Sequence, residues 1–260
     1  MDADLPYILQ TQEAGVLTLT LNRSEKFNPL SEEMMCALQA ALDAAKCDER
    51  IRVVVLAAAG KAFCAGHDLK QMRASPSEDY YKKLFNQCSK MMLTVQQMPQ
   101  PVIARVQGIA TAAGCQLVSM CDLAVASSEA KFAVSGVNYG LFCSTPAVGL
   151  SRNMLPKQAM EMLLTGEFID AETAKARGLV NRVVPAEQLD TEIAGLVSGI
   201  LAKPAIAIAM GKQLFYRQIE MGIGAAYQLA GQTMACNMME EVALEGVQAF
   251  IDKRKPEWGQ

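Results

Sequence analysis

Two short segments rich in glycine and alanine constrain the fold most, because each joins an apolar, strand-like run to a helix-like stretch. Residues 61–69 follow the nearly continuous apolar run 52–56, and residues 108–114 follow the run 102–106. Apolar runs of this kind are expected in a sheet that is buried on both faces. The recurrence therefore predicts an α/β core.

The hydrophobic pattern extends this core toward both ends of the chain. Strands are predicted at residues 5–10, 15–21, 52–56, 102–106, 123–126 and 179–184, with a turn at 13–15. Helices are predicted after a cap at Ser31 and at residues 78–97, 115–120 and from Pro185 to the end. We expect a core over residues 1–195. A helical segment over residues 196–260 is expected to pack on this core or on a neighbouring subunit.

The charge balance argues against several kinds of partner. The 260 residues carry 24 Lys and Arg against 27 Asp and Glu, so the formal net charge of −3 provides no basic field for nucleic acid. No stretch of about 18 apolar residues is free of charges and breakers, so no membrane span is predicted. Residues 1–4 are acidic and do not resemble a signal or transit peptide. A cytoplasmic protein is therefore expected.

The cysteine and histidine content argues against a metal site. The eight cysteines form no C-x-x-C pair, and the chain has one histidine. Zinc sites and disulfide frameworks need closely spaced or paired ligands, and neither pattern is present. We therefore expect no metal, and we interpret the cysteines as small buried apolar residues in a reducing compartment.

The two small-residue segments also suit the binding of a carbonyl group. Small side chains let a ligand approach the backbone, and a helix start offers N–H groups without intrahelical acceptors. Two such N–H groups directed at one point form an oxyanion hole. Each segment taken alone is more typical of an ordinary tight turn. A dinucleotide site is poorly matched, because Gly108 and Gly114 do not fit G-x-G-x-x-G.

Five motifs, in the same order along the chain, resemble those of the enoyl-CoA hydratase/isomerase (crotonase) family. Residues 21–30 resemble L-N-R-P-x-K-x-N-A-L, and residues 62–69 resemble A-F-x-A-G-x-D-L. Residues 101–122 resemble P-V-I-A-x-V-x-G-x-A-x-G-G-G-x-E-L-x-x-x-C-D. Residues 165–180 resemble L-T-G-x-x-x-x-A…A-x-x-x-G-L-V, and residues 250–256 resemble the ending F-x-x-K-R-x-P. The resemblance covers nearly the whole chain.

The resemblance implies an α/β spiral of β-β-α repeats with a C-terminal helical oligomerisation segment, assembled as a homotrimer or a dimer of trimers. It also implies processing of acyl-coenzyme A thioesters, with coenzyme A as part of the substrate and no further cofactor. By position in the motifs, the backbone N–H groups of Ala65 and Ala113 would form the oxyanion hole. Residues expected beside coenzyme A are Ala65, Gly66, His67, Asp68 and, near its phosphates, Lys26.

The sequence departs from the family at both residues that would hydrate a double bond. Family hydratases carry one glutamate within G-G-G-x-E, where this chain has Gln116, and a second glutamate downstream, where it has Gly136. Neither replacement can move a proton at neutral pH. Ala112 and Ala113 also replace two family glycines, which narrows the expected cavity and preserves the hole only if the local φ is negative. Enoyl-CoA hydration is therefore expected to be weak or absent.

Other polar residues near these motifs are weaker candidates for proton transfer. The unperturbed pKa of a histidine is near 6.5, but the place of His67 inside the turn favours a structural or coenzyme-side role. Cys143 lies where the family borders its acyl pocket, beside Ser144 and Thr145. No activating base accompanies it in the pattern, so it is interpreted as a lining residue. Tyr139 is a further candidate.

Three functions remain open from the sequence. The first, which we prefer, is an acyl-CoA enzyme that polarises a thioester carbonyl and catalyses isomerisation, decarboxylation or hydrolysis, with weak hydration through a water on Gln116 as a variant. The second is a non-catalytic acyl-CoA-binding protein, which has no need of two converging donors. The third, a serine hydrolase, would need His67 in a triad and lacks a G-x-S-x-G elbow.

Overall fold

The computed structural model describes residues 5–258, so the acidic residues 1–4 lie outside the described part of the chain. The strands are β1 (Ile8–Glu13), β2 (Val16–Leu21), β3 (Val53–Ala58), β4 (Ala62–Cys64), β5 (Val102–Val106), β6 (Ile109–Thr111), β7 (Leu123–Ser127), β8 (Lys131–Ala133), β9 (Ile169–Asp170) and β10 (Arg182–Val184). The helices are α1 (Glu32–Lys46), α2 (Leu69–Ala74), α3 (Glu78–Gln97), α4 (Ala113–Met120), α5 (Ser144–Asn153), α6 (Pro156–Thr165), α7 (Ala171–Ala176), α8 (Leu189–Leu201), α9 (Ala205–Gln218), α10 (Ile223–Met238) and α11 (Glu241–Ile251).

Successive β-β-α units build two sheets side by side. The first strand of each unit, β3, β5 or β7, joins a six-stranded sheet of order β1-β2-β3-β5-β7-β10. The second strand, β4, β6 or β8, joins a four-stranded sheet of order β4-β6-β8-β9, and helices follow. Apart from the β1–β2 hairpin, the strands of the larger sheet pair in parallel. The predicted spiral of β-β-α repeats is thereby confirmed.

Strand β3 explains why the apolar run at its centre is nearly continuous. All six of its residues are buried. Val54 and Leu56 belong to the main core, whereas Val53 and Val55 pack on the opposite face with residues of α8. Burial on both faces is what the sequence predicted. The proposed division at residue 195 falls within α8 itself, and it stays a prediction.

The N-terminal hairpin differs from its prediction by about three residues. Strand β1 runs from Ile8 to Glu13, and Glu13 pairs with Val16, so only Ala14 and Gly15 form the turn. Their φ angles are +47° and +83°. Two-residue hairpin loops favour positive φ at both positions, because this twist matches the flanking strands. The predicted strand at 5–10 and turn at 13–15 are therefore both shifted.

The helices agree with the prediction better than the short strands do. Ser31 caps α1 by accepting from Met34 N (3.2 Å), and α3 has both predicted ends. Helix α4 begins at Ala113, two residues before the predicted start. Strands β4 and β6 lie inside the segments interpreted as turns, and β8 and β9 were not predicted. With two or three residues each, these strands carry no periodicity that a sequence pattern could reveal.

Helices α9 to α11 run only as far as Ile251, and residues 252–258 are not helical, so the prediction of helix to the end of the chain is wrong for its last residues. These helices leave many apolar side chains exposed. The most exposed are Phe215, Ile223, Tyr227, Met234, Met239, Phe250 and Ile251, each at least 55% exposed. Within residues 5–258 no single helix is long and apolar enough to cross a membrane, although the bent pair Ala186–Leu201 and Ala205–Gln218 meets the length and composition criteria together.

The cysteines divide into two groups. Five are buried, namely Cys64, Cys88, Cys115, Cys121 and Cys143. Cys36, Cys47 and Cys236 are exposed, so the interpretation as small buried apolar residues holds for five of the eight cysteines and is wrong for these three. In the described part of the chain, no three His, Cys, Asp or Glu side chains gather where they could hold a metal ion.

Candidate active site

The two small-residue turns lie against each other because β4 and β6 are neighbouring parallel strands. Their contact leaves no room for side chains at two glycines. A Cβ on Gly114 would lie 2.3 Å from Cys64 O, and a Cβ on Gly66 would lie 2.9 Å from Ala112 Cβ and 3.4 Å from Ala113 N. Gly66 also has φ of +91°, which L residues rarely adopt. The backbone of the first turn thus faces the start of α4.

The hydrogen bonds of the first turn decide which of its N–H groups can receive a ligand. Ala65 N donates to Phe27 O (3.0 Å), which removes Ala65 from the candidate oxyanion donors and corrects the expectation from the motif. Gly66 N donates to Cys64 Sγ (3.4 Å). The N–H of His67 has no acceptor among residues 5–258. His67 is therefore the residue of this turn with an unused backbone donor.

The second turn supplies a matching donor at the start of α4. Ala113 is the first residue of this helix, so its N–H has no intrahelical acceptor, and none occurs elsewhere in the described chain. Ala112 N instead donates to Ala133 O (2.9 Å). Ala112 has φ of +50° and ψ of −120°, so the expected negative φ is absent there, whereas Ala113 is not among the residues with positive φ. Such backbone strain costs about 1–3 kcal/mol.

Both turns border a cleft of about 180 Å³ with a largely apolar wall. No Asp, Glu, Lys or Arg belongs to the described lining. The residues that line it are Ala65, His67, Leu69, Met72, Phe85, Ala112, Ala113, Ser135, Gly136, Tyr139, Leu141, Phe142, Cys143, Ser144, Thr145 and Pro146. An apolar cleft with a few convergent polar groups is typical of a small-molecule site.

The side chain of His67 is held between Leu30 and Phe85. Its Nδ1 lies 3.2 Å from Leu30 O, which assigns the ring proton to Nδ1, and its ring meets the Phe85 ring edge-on at a centroid distance of 5.6 Å. Its Nε2 is buried without a partner among the described residues. Burial lowers the pKa of His67 below 6.5, and the hydrogen bond to Leu30 opposes this shift. The imidazole is therefore neutral at pH 7.

Gln116 stands one helical turn after Ala113 but does not line the cleft. Its side chain belongs to a residue that is 4% exposed, and Oε1 has no hydrogen-bond partner in the described structure. A buried amide oxygen without a partner loses the free energy of its hydration, about 1–3 kcal/mol. The Gln116 side chain can therefore act as neither a general acid nor a general base.

Gly136 and Cys143 lie together in the cleft wall. Gly136 N donates to Cys143 Sγ (3.3 Å), and a Cβ on Gly136 would lie 2.7 Å from that sulfur and 2.4 Å from Leu141 O. The local backbone therefore excludes a side chain where the family carries its second glutamate. Burial raises the pKa of the Cys143 thiol, and no base contacts its sulfur in the described chain. A role in lining fits this environment better than one as a nucleophile.

The residues expected on the coenzyme A side occupy two different environments. Lys26 is exposed at the end of a short 3-10 turn, Ser24–Lys26, directly before the residue whose carbonyl accepts from Ala65. Asp68 caps α2, since its side chain accepts from the backbone N–H groups of Lys70 (2.9 Å) and Gln71 (3.2 Å). Its carboxylate is thus already engaged in holding the turn.

Helices α2 and α3 provide an apolar wall of the cleft that the sequence did not predict. Met72 and Phe85 line the cleft from these helices, but in sequence they are indistinguishable from residues that face a core. Leu141 and Phe142 were passed over in the same way, although they precede Cys143 directly. Each of the two residues is an apolar position of a helix, Met72 in α2 and Phe85 in α3. This was the available signal, and it does not distinguish apolar positions that face a cavity from those that face the core.

The fold and the cleft together define a β-β-α spiral protein whose site is formed by two strand-to-helix turns. The chain belongs to the enoyl-CoA hydratase/isomerase family, whose model, "Enoyl-CoA hydratase/isomerase", matches residues 11–260. This confirms the resemblance found in the motifs.

Individual relatives agree with this assignment. The structure of an enoyl-CoA hydratase from Mycobacterium smegmatis is 64% identical, covers 98% of this chain and 99% of its own, and superposes with a TM-score of 0.96. The Xenopus laevis protein named "Enoyl-CoA hydratase domain-containing protein 3, mitochondrial" is 44% identical over 253 residues, 97% of this chain and 86% of that protein. The structure of the human enoyl Coenzyme A hydratase domain-containing protein 3 is 41% identical over 97% of this chain, with a TM-score of 0.94.

Proposed function

We propose that this protein is an acyl-coenzyme A thioester-processing enzyme that polarises the thioester carbonyl between the backbone N–H groups of His67 and Ala113. The observation that carries the proposal is the pair of cleft-lining residues whose N–H groups have no acceptor within residues 5–258. A carbonyl that accepts from both would be drawn toward its enolate. One such donor is worth about 3–4 kcal/mol of transition-state stabilisation.

The cleft favours an uncharged acyl group. No cationic side chain lines it in the described structure, and a carboxylate placed in an apolar wall without a partner loses its hydration uncompensated. This argues against decarboxylation of a dicarboxylic acyl group. Isomerisation of a double bond and hydrolysis of the thioester remain as the proposed reactions.

Hydration is proposed to be slow, because the cleft lining contains no carboxylate. Gln116 cannot exchange a proton, and Gly136 has no side chain. His67 is the one lining residue whose ordinary pKa lies near neutrality. Its Nε2 is buried in the free protein, so a role in proton transfer requires the ring to turn when substrate binds.

The same lack of carboxylates favours a second candidate, a non-catalytic acyl-CoA-binding protein. Such a protein would use the two N–H donors for affinity rather than for rate. Turnover is what separates the two candidates, since both predict binding.

The test begins with binding, measured by calorimetry with butyryl-CoA and with free coenzyme A. The proposal predicts that the thioester binds more tightly, because only the thioester carries the carbonyl. Turnover is then followed with crotonyl-CoA for hydration, a 3-enoyl-CoA for isomerisation and butyryl-CoA for hydrolysis. Equal affinity for both ligands would refute the carbonyl site, and binding without any turnover would leave the second candidate.

A matched pair of variants tests the explanation for slow hydration. Gln116→Glu introduces a carboxyl group whose burial would raise its pKa and keep it protonated, as a general acid requires. Because Gln116 lies behind the cleft lining, we expect only a small increase in the hydration of crotonyl-CoA in this variant. Gln12→Glu makes the same change at an exposed site on β1 and should have no effect. Fast hydration by the unaltered protein would contradict the explanation.

We also propose that the C-terminal helices bury their bare apolar residues against other copies of the chain, as a trimer or a dimer of trimers. Exposed apolar patches of this extent are unusual on monomers. Light scattering after size exclusion should then give three or six times the 28.1 kDa of one chain, and a monomer would refute the proposal. The cytoplasmic location stays a prediction; the vertebrate relative above is named as mitochondrial.

A further inference from the structure

Ala112 carries a methyl group where the backbone favours glycine. Its φ of +50° and ψ of −120° lie in a region that residues with a Cβ rarely occupy. Strained residues of this kind concentrate at ligand sites and persist only where their surroundings hold them. Ala112 is held by two backbone hydrogen bonds, from its N–H to Ala133 O (2.9 Å) and to its carbonyl from Gln116 N (3.0 Å). A glycine could make both, so the hydrogen bonds do not account for the methyl group.

The methyl group lies between the two proposed donors. Ala112 lines the cleft and is bonded to Ala113, and it faces Gly66, which is bonded to His67. The backbone of Gly66 packs directly against the Ala112 methyl group, because a Cβ on Gly66 would lie 2.9 Å from the methyl carbon. The methyl group is attached to the backbone and has no rotamer to change, so it cannot move out of the cleft toward Gly66.

We propose that the Ala112 methyl group selects substrates at the α carbon of the acyl chain. It admits thioesters with an unbranched α carbon and excludes those that carry a methyl branch there. The inference rests on the proposed function, because it needs a thioester carbonyl bound between His67 N and Ala113 N. A carbonyl in that position places its α carbon beside the Ala112 methyl group, which is held against Gly66 and would collide with a methyl branch on that carbon.

Butyryl-CoA and isobutyryl-CoA provide the test, because they are isomers with the same charge in which one carbon is moved from the end of the acyl chain to a branch at the α carbon. Calorimetry of the full-length protein should show a preference for butyryl-CoA of about tenfold or more, the discrimination typical of one excess methyl group in an apolar pocket. In Ala112→Gly the preference should shrink to within about threefold, a change of roughly half a decade or more in affinity ratio.

Ala110→Gly is the matched control. Ala110 is buried in β6 two residues away, pairs with Phe132 and does not line the cleft. The same chemical change there should keep the ratio of the unaltered protein. Thermal unfolding checks that both variants are folded. Ala112→Gly should melt at or above the temperature of the unaltered protein, because strain is relieved, and Ala110→Gly should melt about 2–4 °C below it.

The possible results separate the inference from the function on which it rests. A folded Ala112→Gly variant that keeps the full preference for butyryl-CoA would overturn the inference alone. Equal affinity of the unaltered protein for the two isomers would overturn it as well. If the unaltered protein binds neither thioester, the proposed function fails, and the inference fails with it.

Discussion

Lys212 ties helix α9 to the core through an ion pair that is almost fully buried. Its Nζ donates to Asp122 Oδ2 (2.7 Å), Gln100 O (2.9 Å) and Val95 O (3.0 Å). The side chains of Lys212 and Asp122 are only 6% and 14% exposed. Burial lowers the pKa of Lys212 and raises the pKa of Asp122, and their mutual attraction opposes both shifts. All three donor positions of the ammonium group are therefore used.

Replacing Lys212 with methionine should destabilise the protein by about 3–5 kcal/mol. The variant keeps the length of the side chain but leaves the Asp122 carboxylate buried without a counter-charge, and removal of one partner from a buried pair typically costs this much. Lys82→Met is the matched control, since Lys82 pairs with Glu78 at the surface, with both side chains at least 65% exposed. The Lys82→Met variant should lose less than about 1 kcal/mol of its free energy of unfolding.

Urea unfolding at a fixed protein concentration measures these losses, because any association of subunits makes the apparent stability depend on concentration. The double variant Lys212→Met/Asp122→Asn should be more stable than Lys212→Met alone. Asparagine removes the stranded charge and can still accept from Val102 N, as Asp122 Oδ2 does at 2.7 Å. A loss for Lys212→Met no larger than that for Lys82→Met would refute the reasoning.

Three further predictions follow from the geometry of the cleft. Gly114→Ala should lower the free energy of unfolding, measured with heat or urea, by about 1–3 kcal/mol, because its Cβ would lie 2.3 Å from a backbone carbonyl. Gly195→Ala is the control in α8, where a Cβ meets nothing within 4 Å, and it should raise the free energy of unfolding by about 0.5–1 kcal/mol. Equal effects of the two substitutions would contradict the packing at Gly114. The one histidine of the chain, His67, should titrate below pH 6.5 in proton NMR, because burial lowers its pKa. The stability that the neutral form of His67 contributes above pH 6.5 is lost as the pH falls through the pKa of the folded protein. The His67→Gln variant should not show this loss. A His67 titration midpoint at or above pH 6.5 would contradict the prediction. Gly136→Glu should lower the melting temperature without producing hydration, since its Cβ would lie 2.4 Å from a carbonyl; efficient hydration of crotonyl-CoA by this variant would show that the loop can yield.

The larger sheet and the long helices could be predicted from sequence because their signals are local. The run of residues 53–58 is buried throughout, and Ser31 caps α1 as its position suggested. The four-stranded sheet could not be predicted, since its strands have two or three residues each and are held in place by pairing with partners distant in sequence, parallel between β4, β6 and β8 and antiparallel between β8 and β9. Pairing of that kind depends on the spiral as a whole rather than on any one segment.

The sequence placed the candidate site on two turns that the structure brings together, but it did not identify which backbone N–H group of the first turn is unused. Both turns line the cleft, as the motifs implied. Which N–H group remains unused in the first turn depends on Phe27, 38 positions before Ala65 in the sequence and 3.0 Å from it in space. The positive φ of Ala112 likewise reflects the bond from its N–H to Ala133 O, made across β6 and β8. Both contacts join residues that are distant in sequence, so neither can be predicted from local residue patterns.

The contact that removes Ala65 from the donors involves the loop that also carries Lys26, the residue expected near the phosphates of coenzyme A. The Phe27 carbonyl can accept from Ala65 N because the neighbouring Asn28, which is fully buried and has φ of +51°, holds the loop at residues 24–28 in place. Asn28 Nδ2 donates to Ala59 O (2.8 Å) and Ala62 O (3.0 Å), on either side of the turn that leads into β4. A short polar side chain tolerates this left-handed backbone better than most residues. Asn28 thus holds the loop in which Lys26 is exposed and directly precedes the residue that accepts from Ala65, so the correction at Ala65 and the expectation for Lys26 depend on the same loop.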